Sequence, residues 1–162
     1  LDIRSDTAFE QVLEACAEVH RPGQDGTWIN RDIRNGFVAL HRLGLAHSIV
    51  AYLDGELVGG LYGVALGKSF CGESMFSYAP DASKVATVAL LGNLHHWGFH
   101  FVDCQVYTEH LARFGAEQWP RARFLRALRK AVAEPTRRGP WELELAPLEC
   151  LDLLGDTVRQ QA

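Results

Sequence analysis

The stretch "ELVGGLYGVALGKSFCGESMFS", Glu56 to Ser77, decides how this chain folds. "ELVGGLYGVAL" and "SFCGESMFSY" are β-rich runs joined at Gly67-Lys68, which reads as a turn. Just upstream, "AHSIVAYL" meets the first run across Asp54-Gly55, a strong hairpin signal because both turn residues tolerate positive φ. Three antiparallel strands are therefore expected. Within the third, Glu73 stands where a buried strand ought to carry an apolar side chain. At this point a solvated strand face and a working acid group account for it equally.

On the C-terminal side, Asp81 starts a helix, "DASKVATVALLGNLHHWG", with Gly98 as its stop. "FHFVDCQVY" follows as a strand, and a strand–helix–strand crossover sets it parallel to a neighbour. "TEHLARFG" and "PRARFLRALRKAV" read as helices, the second with Pro120 in its first turn, and "WELELAPL" as a final strand before a peripheral tail. On the N-terminal side, Phe9, Val12, Leu13 and Cys16 fall at helical spacing over Asp6 to Val19, with Ser5 or Asp6 as N-cap. "HRPGQDG" is a loop, and Asn30 to Leu43 is an amphipathic helix with Ile33, Phe37, Leu40 and Leu43 on one face and Gly44 at its end. This order predicts an α/β domain of the acetyltransferase-like (GNAT-like) kind, a mixed, mainly antiparallel sheet flanked by helices. One domain spans residues 1–162: a helical leading region to about 45, a sheet-and-helix core over 46–135 and a C-terminal extension over 136–162.

A length of 162 residues, 48% hydrophobic and 22% charged, suits one soluble domain with a full core. No apolar stretch approaches the roughly 18 residues that span a bilayer, and the start shows no signal-peptide pattern, so a cytoplasmic protein without membrane contact is expected. Cys16, Cys71, Cys104 and Cys150 lie far apart, which argues for reduced thiols buried as small hydrophobes. The net charge is −4, yet eight basic residues lie between Arg113 and Arg138 against only Glu117 and Glu134. Such a stripe is either a solvated helix face or a contact for phosphates.

Strand alternation puts Phe101, Asp103, Gln105 and Tyr107 on one face, and Glu73, Met75 and Ser77 on one face of their own strand. If the two strands are neighbours, Glu73 and Asp103 share a cleft with Gln105. Two acids beside an amide suit the holding of an amine and the stabilising of an oxyanion; a surface salt bridge or a turn-capping acid is the plainer account. His95, His96, His100 and His110 complete no ligand pattern, so no metal is expected. The chain also lacks the Arg/Gln-x-x-Gly-x-Gly/Ala signature with which an acetyl-CoA-binding GNAT protein holds pyrophosphate, so coenzyme A is not expected as donor.

Several segments in fixed order resemble one family: "TWI" (Thr27 to Ile29), "GLAHSI" (Gly44 to Ile49), "ELVGGLYGVALG" (Glu56 to Gly67), "FCGESMFS" (Phe70 to Ser77), "DASKVA" (Asp81 to Ala86), "DCQVYTEHL" (Asp103 to Leu111) and "PRARFL" (Pro120 to Leu125). They are similar to bacterial leucyl/phenylalanyl-tRNA–protein transferases from about Asp6 to Leu128, and the "GESMFS" and "DCQ" blocks are specific to that family. The resemblance implies transfer of leucine or phenylalanine from its tRNA to the N-terminal amine of a protein beginning with Arg or Lys. The product is a destabilising N-terminus of the N-degron pathway, and no cofactor is needed because the tRNA ester is already activated. It implies catalytic roles for Asp103, Gln105 and Glu73: Gln105 orients amine and carbonyl, Asp103 polarises that arrangement, and Glu73 holds the cationic acceptor. It implies an apolar donor pocket at Trp28, Leu61, Phe70, Leu90 and Leu94, where area burial is worth about 1.5–3 kcal/mol. It further implies tRNA contacts at Lys84, Arg121 and Arg126.

Departures from the family pattern are confined to a few places. The resemblance implies a smaller N-terminal domain ahead of this region that supplies tRNA contacts; almost none of it is expected within residues 1–162, and the basic stripe is expected to supply part of that contact. Val50 replaces a common Glu, and Arg113-Phe114 and Trp119 replace Ser-Leu and Ile. Two alternatives follow: a small-molecule or peptide acceptor in natural-product assembly, or a catalytically silent tRNA- or peptide-binding paralogue. Intact Glu73, Asp103 and Gln105 speak against the second.

Overall fold

The computed structural model describes residues 1–19 and 26–161, with side chains to Gly155; all of "HRPGQDG" but Gly26 lies outside them. Among the described residues, five strands form one sheet in chain order. β2 (Ala46–Leu53), β3 (Glu56–Leu66) and β4 (Ser69–Ser77) are the expected antiparallel meander. Asp54 and Gly55 turn the first hairpin with φ of 52° and 88°, the positive values that make this pair a tight-turn signal. The helix α3 (Ala82–His96) then crosses over to β5 (Phe101–Asp103), which pairs parallel with β4 in the register Ser69 to Phe101 and Cys71 to Asp103. The sheet is thus mixed and mainly antiparallel with helices around it, as expected.

Two apolar clusters cover its two faces. Phe9, Val12, Leu13 and Cys16 of α1 (Phe9–Glu18), with Phe37, Val38 and Leu40 of α2 (Arg31–Arg42), pack on Ala46, Val50, Tyr62 and Phe76. α2 begins where the sequence says it should: Asn30 accepts a bond from the Ile33 amide, and Gly44 at φ 73° ends it. Its expected apolar face is narrower than the pattern, because Leu43 and Ile33 are exposed and Val38 packs instead. On the opposite face, Ala86, Leu90 and Leu94 of α3 meet Ile49, Leu61, Ala65 and Phe70.

One irregularity positions the site. Tyr62 faces Ser74 and the next residue, Gly63, faces Gly72, so Glu73 is an extra residue bulged out of β4. The bulge reverses the strand's alternation. Phe70 and Phe76, an even number of residues apart, enter opposite clusters, while Met75 packs on the same side as Phe70. The expected common face of Glu73, Met75 and Ser77 therefore does not exist as a simple strand face. Gly63 makes the bulge possible, because a Cβ there would stand 2.2 Å from the Cys71 carbonyl oxygen and 2.5 Å from the Phe70 ring. Gly63→Ala should destabilise the protein by about 3 kcal/mol, since backbone cannot yield as a side chain tip can. Thermal melting lowered by only a degree or two would show that β4 accommodates the methyl.

Four expectations need correction. The leading region is not only helical: Asp2–Ser5 forms β1, antiparallel to β2 at the sheet edge. Neither Ser5 nor Asp6 caps α1, which starts after Ala8. Asp6 is instead a buried hub whose Oδ1 accepts the Ser48 amide at 2.9 Å, and whose Oδ2 accepts the His47 Nδ1–H at 2.8 Å and the Trp141 amide at 2.7 Å. "WELELAPL" forms no strand, because the side chain of Asn93 on α3 takes the place of a ladder: its Oδ1 accepts the Glu144 and Leu145 amides and its Nδ2 donates to the Leu145 carbonyl. Finally, the tail is not peripheral. Pro147–Gln161 forms a helix, α6, whose Cys150 sits against α3 where Gly92 leaves room. Trp141 is 2% exposed, stacked on His47 with ring centroids 3.6 Å apart, and Glu144 joins the Trp97 indole, Arg137 and His96.

Candidate active site

β4 and β5 run side by side, and the polar residues gather where both leave the ladder. The expected strand "FHFVDCQVY" is paired only over Phe101–Asp103. Gln105 takes φ 62°, a left-handed value unusual for a residue with a β-carbon, and so cannot continue the strand. That conformation is held by Asp103, whose Oδ1 accepts the Gln105 backbone amide at 2.8 Å. The reversal carries the Gln105 side chain back over the bulge. Its Nε2 donates to the Gly72 carbonyl at 2.9 Å and to Glu73 Oε2 at 3.0 Å, and lies 3.4 Å from Cys71 Sγ.

These contacts fix which way the amide points. A backbone carbonyl and a carboxylate only accept, so the group facing both of them must be the NH₂. Gln105 Oε1 is left as an acceptor with no partner among the described residues. The expected neighbours Glu73, Asp103 and Gln105 do come together, though by a bulge and a turn rather than by two matching strand faces. With two carboxylates half-buried beside an exposed, oriented carbonyl oxygen, the centre is suited to receive a cationic or neutral amine.

Cys71, expected only as a small buried hydrophobe, belongs to this centre, and neither it nor Cys104 is fully buried. Cys71 is half-buried beside all three, and burial first, then the charges of Glu73 and Asp103, push its thiol up to about 12. At pH 8 such a thiol is ~1 part in 10,000 thiolate, the form that reacts. Cys71 should therefore resist iodoacetamide at pH 8 while the fold is intact and react once it is unfolded, read by peptide mass spectrometry. Rapid labelling of the folded protein would mean that the thiol is activated. The available signal was its position two residues before Glu73 in a strand.

The other expected residues divide. Leu61, Phe70, Leu90 and Leu94 sit together, each 4% exposed or less, in the cluster between the sheet and α3, with Met75 and Val102 packed against it. Trp28 is not with them. It is 43% exposed and meets Phe37 edge-on at 6.4 Å, on the opposite side of the sheet. Lys84 lies in the first turn of α3, exposed and paired with Asp81. The helix α5 (Arg121–Val132) lies beside β5, where Phe124 and Trp119 both meet Phe101. Arg123 is taken up by Glu117 and the Trp119 ring, whereas Arg121, Arg126, Arg129 and Lys130 are exposed without an ion pair among the described residues. Thr108 caps a short helix, α4 (Glu109–Ala112), between the centre and α5. Among the described residues no group of three or more His, Cys, Asp or Glu side chains could hold a metal ion, and no helix is long and apolar enough to cross a membrane.

Residues 1–129 match the family model described as leucyl/phenylalanyl-tRNA protein transferase. Three relatives called leucyl/phenylalanyl-tRNA–protein transferase are similar over most of this chain. That of Myxococcus xanthus is 59% identical over 140 residues, 86% of this chain and 60% of its own length. Those of Anaeromyxobacter dehalogenans and Nitratidesulfovibrio vulgaris are each 56% identical, over 89% and 88% of this chain and 62% and 61% of theirs. The chain thus spans about 60% of the length of the curated relatives it matches. The crystal structure of a ribosomal-protein-alanine N-acetyltransferase from Brucella melitensis is 16% identical, covering 90% of this chain and all of that one, with a TM-score of 0.43, a likeness too slight to bear on the fold. With the family's blocks present in order and the polar residues of two of them meeting at one centre, the chain belongs to the leucyl/phenylalanyl-tRNA–protein transferase family.

Proposed function

We infer that this protein transfers an amino acid, leucine or phenylalanine in kind, from aminoacyl-tRNA to the N-terminal amine of a protein or peptide. The observation that carries the reading is the orientation of Gln105: its NH₂ is spent on Gly72 and Glu73, and the Oε1 of this exposed residue has no partner among the described residues. Family membership supplies the chemistry of donor and acceptor. Aminolysis of an ester needs a neutral amine held in line with the carbonyl, and positioning is the larger part of what a protein adds.

In this mechanism Glu73 and Asp103 draw the acceptor ammonium to the centre. After the ammonium loses a proton to solvent, Gln105 Oε1 accepts an N–H bond from the neutral amine and so aims its lone pair. The nitrogen attacks the ester carbonyl carbon, a C–N bond forms, and the C–O bond to the tRNA ribose breaks. The second amine proton leaves with the ribose oxygen, directly or through water. No electron is gained or lost and no cofactor takes part. The donor side chain is received at the half-buried edge of this cluster, at Met75 and Val102, which lie over the already covered Leu61, Phe70, Leu90 and Leu94; Trp28, on the other side of the sheet, is no wall of it. Exposed Arg121 and Arg126 on α5, with Lys84, contact the tRNA backbone, and the reaction takes place in the cytoplasm, where charged tRNA is held.

The test is incubation with radiolabelled leucyl-, phenylalanyl- and alanyl-tRNA and an Arg-initiated peptide. An extended peptide with leucine or phenylalanine is expected; tRNA binding with no product from any donor would sink the reading. Arg121→Ala and Arg126→Ala should each lower the slope of log affinity against log salt by about 0.7–0.9, the value of one lost phosphate contact. An unchanged slope would remove α5 from the tRNA interface.

A further inference from the structure

We propose that Cys71 is a positioning residue of this centre: its thiol lies beside the Gln105 amide and holds the one amide orientation in which Oε1 faces the acceptor. The proposal rests on the transferase reading for its consequence, but on geometry for its substance.

The Gln105 side chain is exposed and reaches across from a turn, a setting in which an amide ordinarily rotates. Two hydrogens on Nε2 are offered to three acceptors: the Gly72 carbonyl at 2.9 Å, Glu73 Oε2 at 3.0 Å and Cys71 Sγ at 3.4 Å. Of these, the Glu73 bond is the one that chemistry must compete for, since an incoming ammonium is drawn to the same carboxylate. When Glu73 turns to the acceptor, the amide keeps Gly72 and Cys71. Sulfur, whose larger radius makes 3.4 Å a bonding distance, is the partner that remains on that side. The charges of Glu73 and Asp103 beside the thiol, with its burial, keep the hydrogen on sulfur, and a lone pair of that sulfur is what the amide meets at 3.4 Å. Cys71 is itself anchored from both sides, pairing with Val64 of β3 and Asp103 of β5. It therefore transmits the position of the sheet to the one side chain that leaves it.

The thiol's chemistry agrees with holding rather than attacking. A thiolate here would face Glu73 and Asp103, and burial with those charges keeps the hydrogen on sulfur. An acyl-cysteine intermediate, the other use of a cysteine beside an ester, is thus disfavoured at neutral pH. The neutral thiol accepts from the amide while keeping its own hydrogen, and serine is the residue that reproduces this.

The experiment compares Cys71→Ala and Cys71→Ser with wild type in two independent readouts. In the first, transfer from leucyl-tRNA to an Arg-initiated peptide is followed over pH 6–9. Cys71→Ala should lower kcat about 5- to 20-fold, with the peptide KM changed less than twofold, and Cys71→Ser should recover to within about threefold of wild type. In the second, the Gln105 side-chain NH₂ is observed in ¹⁵N-labelled protein, assigned by its loss in Gln105→Glu. Its two proton resonances should remain distinct and sharp in wild type and Cys71→Ser, and broaden or move toward free-amide positions in Cys71→Ala. Full kcat in Cys71→Ala, equal impairment of both variants, or an unmoved amide signal in Cys71→Ala would each overturn the proposal. If Cys71→Ala fails to fold, Cys71→Ser alone decides: a serine variant that folds but loses the amide signal or most of kcat refutes it. A wild-type protein that transfers nothing would sink the transferase reading instead, and the amide resonances would still decide whether Cys71 holds Gln105.

Discussion

Gln105→Ala should lower kcat for peptide extension by about 100-fold or more while leaving tRNA affinity within twofold. The size follows from what is lost: misplacing a reacting group by an ångström or removing one oriented polar partner costs about two to three orders of magnitude. Gln105→Glu is the sharper variant. A carboxylate cannot donate to the Gly72 carbonyl or to Glu73, so it is expelled from the position that the amide holds and should be as inactive as alanine. Asp103→Asn should be far milder, because its side-chain oxygen still accepts the Gln105 backbone amide that stabilises the left-handed turn. Single-turnover rates at saturating peptide separate these cases. If Gln105→Ala lies within threefold of wild type, the centre lies elsewhere.

Asp6→Ala should be the most destabilising single substitution in the leading region, by about 3–5 kcal/mol. One carboxylate with a 1%-exposed side chain collects amides from β2 and from the extension, together with the His47 ring. Its loss leaves three buried donors unmatched, in a place where His47 Nε2 and Ser48 Oγ are already buried without a hydrogen bond. Alanine must also adopt the φ of 54° that aspartate tolerates better. The melting temperature should fall roughly 6–20 °C, at about 2–4 °C per kcal/mol for a chain of this size. A fall under 3 °C would mean that the extension is held by the Trp141 stack and the Glu144 contacts alone.

These two residues also mark how far the sequence is legible. The meander was readable because Asp54-Gly55 and Gly67-Lys68 are local signals, and α2 because Asn30 and Gly44 bound it by local chemistry. Asp6 was misread as a cap because its partners, Ser48 and Trp141, are distant in the chain. The alternation of "WELEL" is that of a strand, and only the placement of Asn93 on α3 shows that a side chain, not a neighbouring strand, satisfies that backbone. The grouping of Glu73, Asp103 and Gln105 was anticipated, but for a reason that fails in detail: regular alternation does not bring them together. The bulge at Glu73 and the left-handed turn at Gln105 do; the first leaves only the indirect mark of Gly63 on the neighbouring strand, and the second leaves none in the residue type of Gln105. Of the apolar positions suggested by family likeness, four lie in one cluster and Trp28 does not, because the pattern carries no information about which face of the sheet a loop residue joins.

Because Glu73 is the supernumerary residue of β4, it can be exchanged but not removed. Deleting it would restore unbroken alternation and turn the strand's last residues over, sending Met75 and Phe76 to each other's clusters. Frame and chemistry are thereby linked in one position: lineages of this fold can trade the acid for another side chain, but a one-residue deletion there rewrites the core. Tolerance at this site should therefore be asymmetric, with substitutions that abolish transfer still giving folded protein and the single deletion giving none.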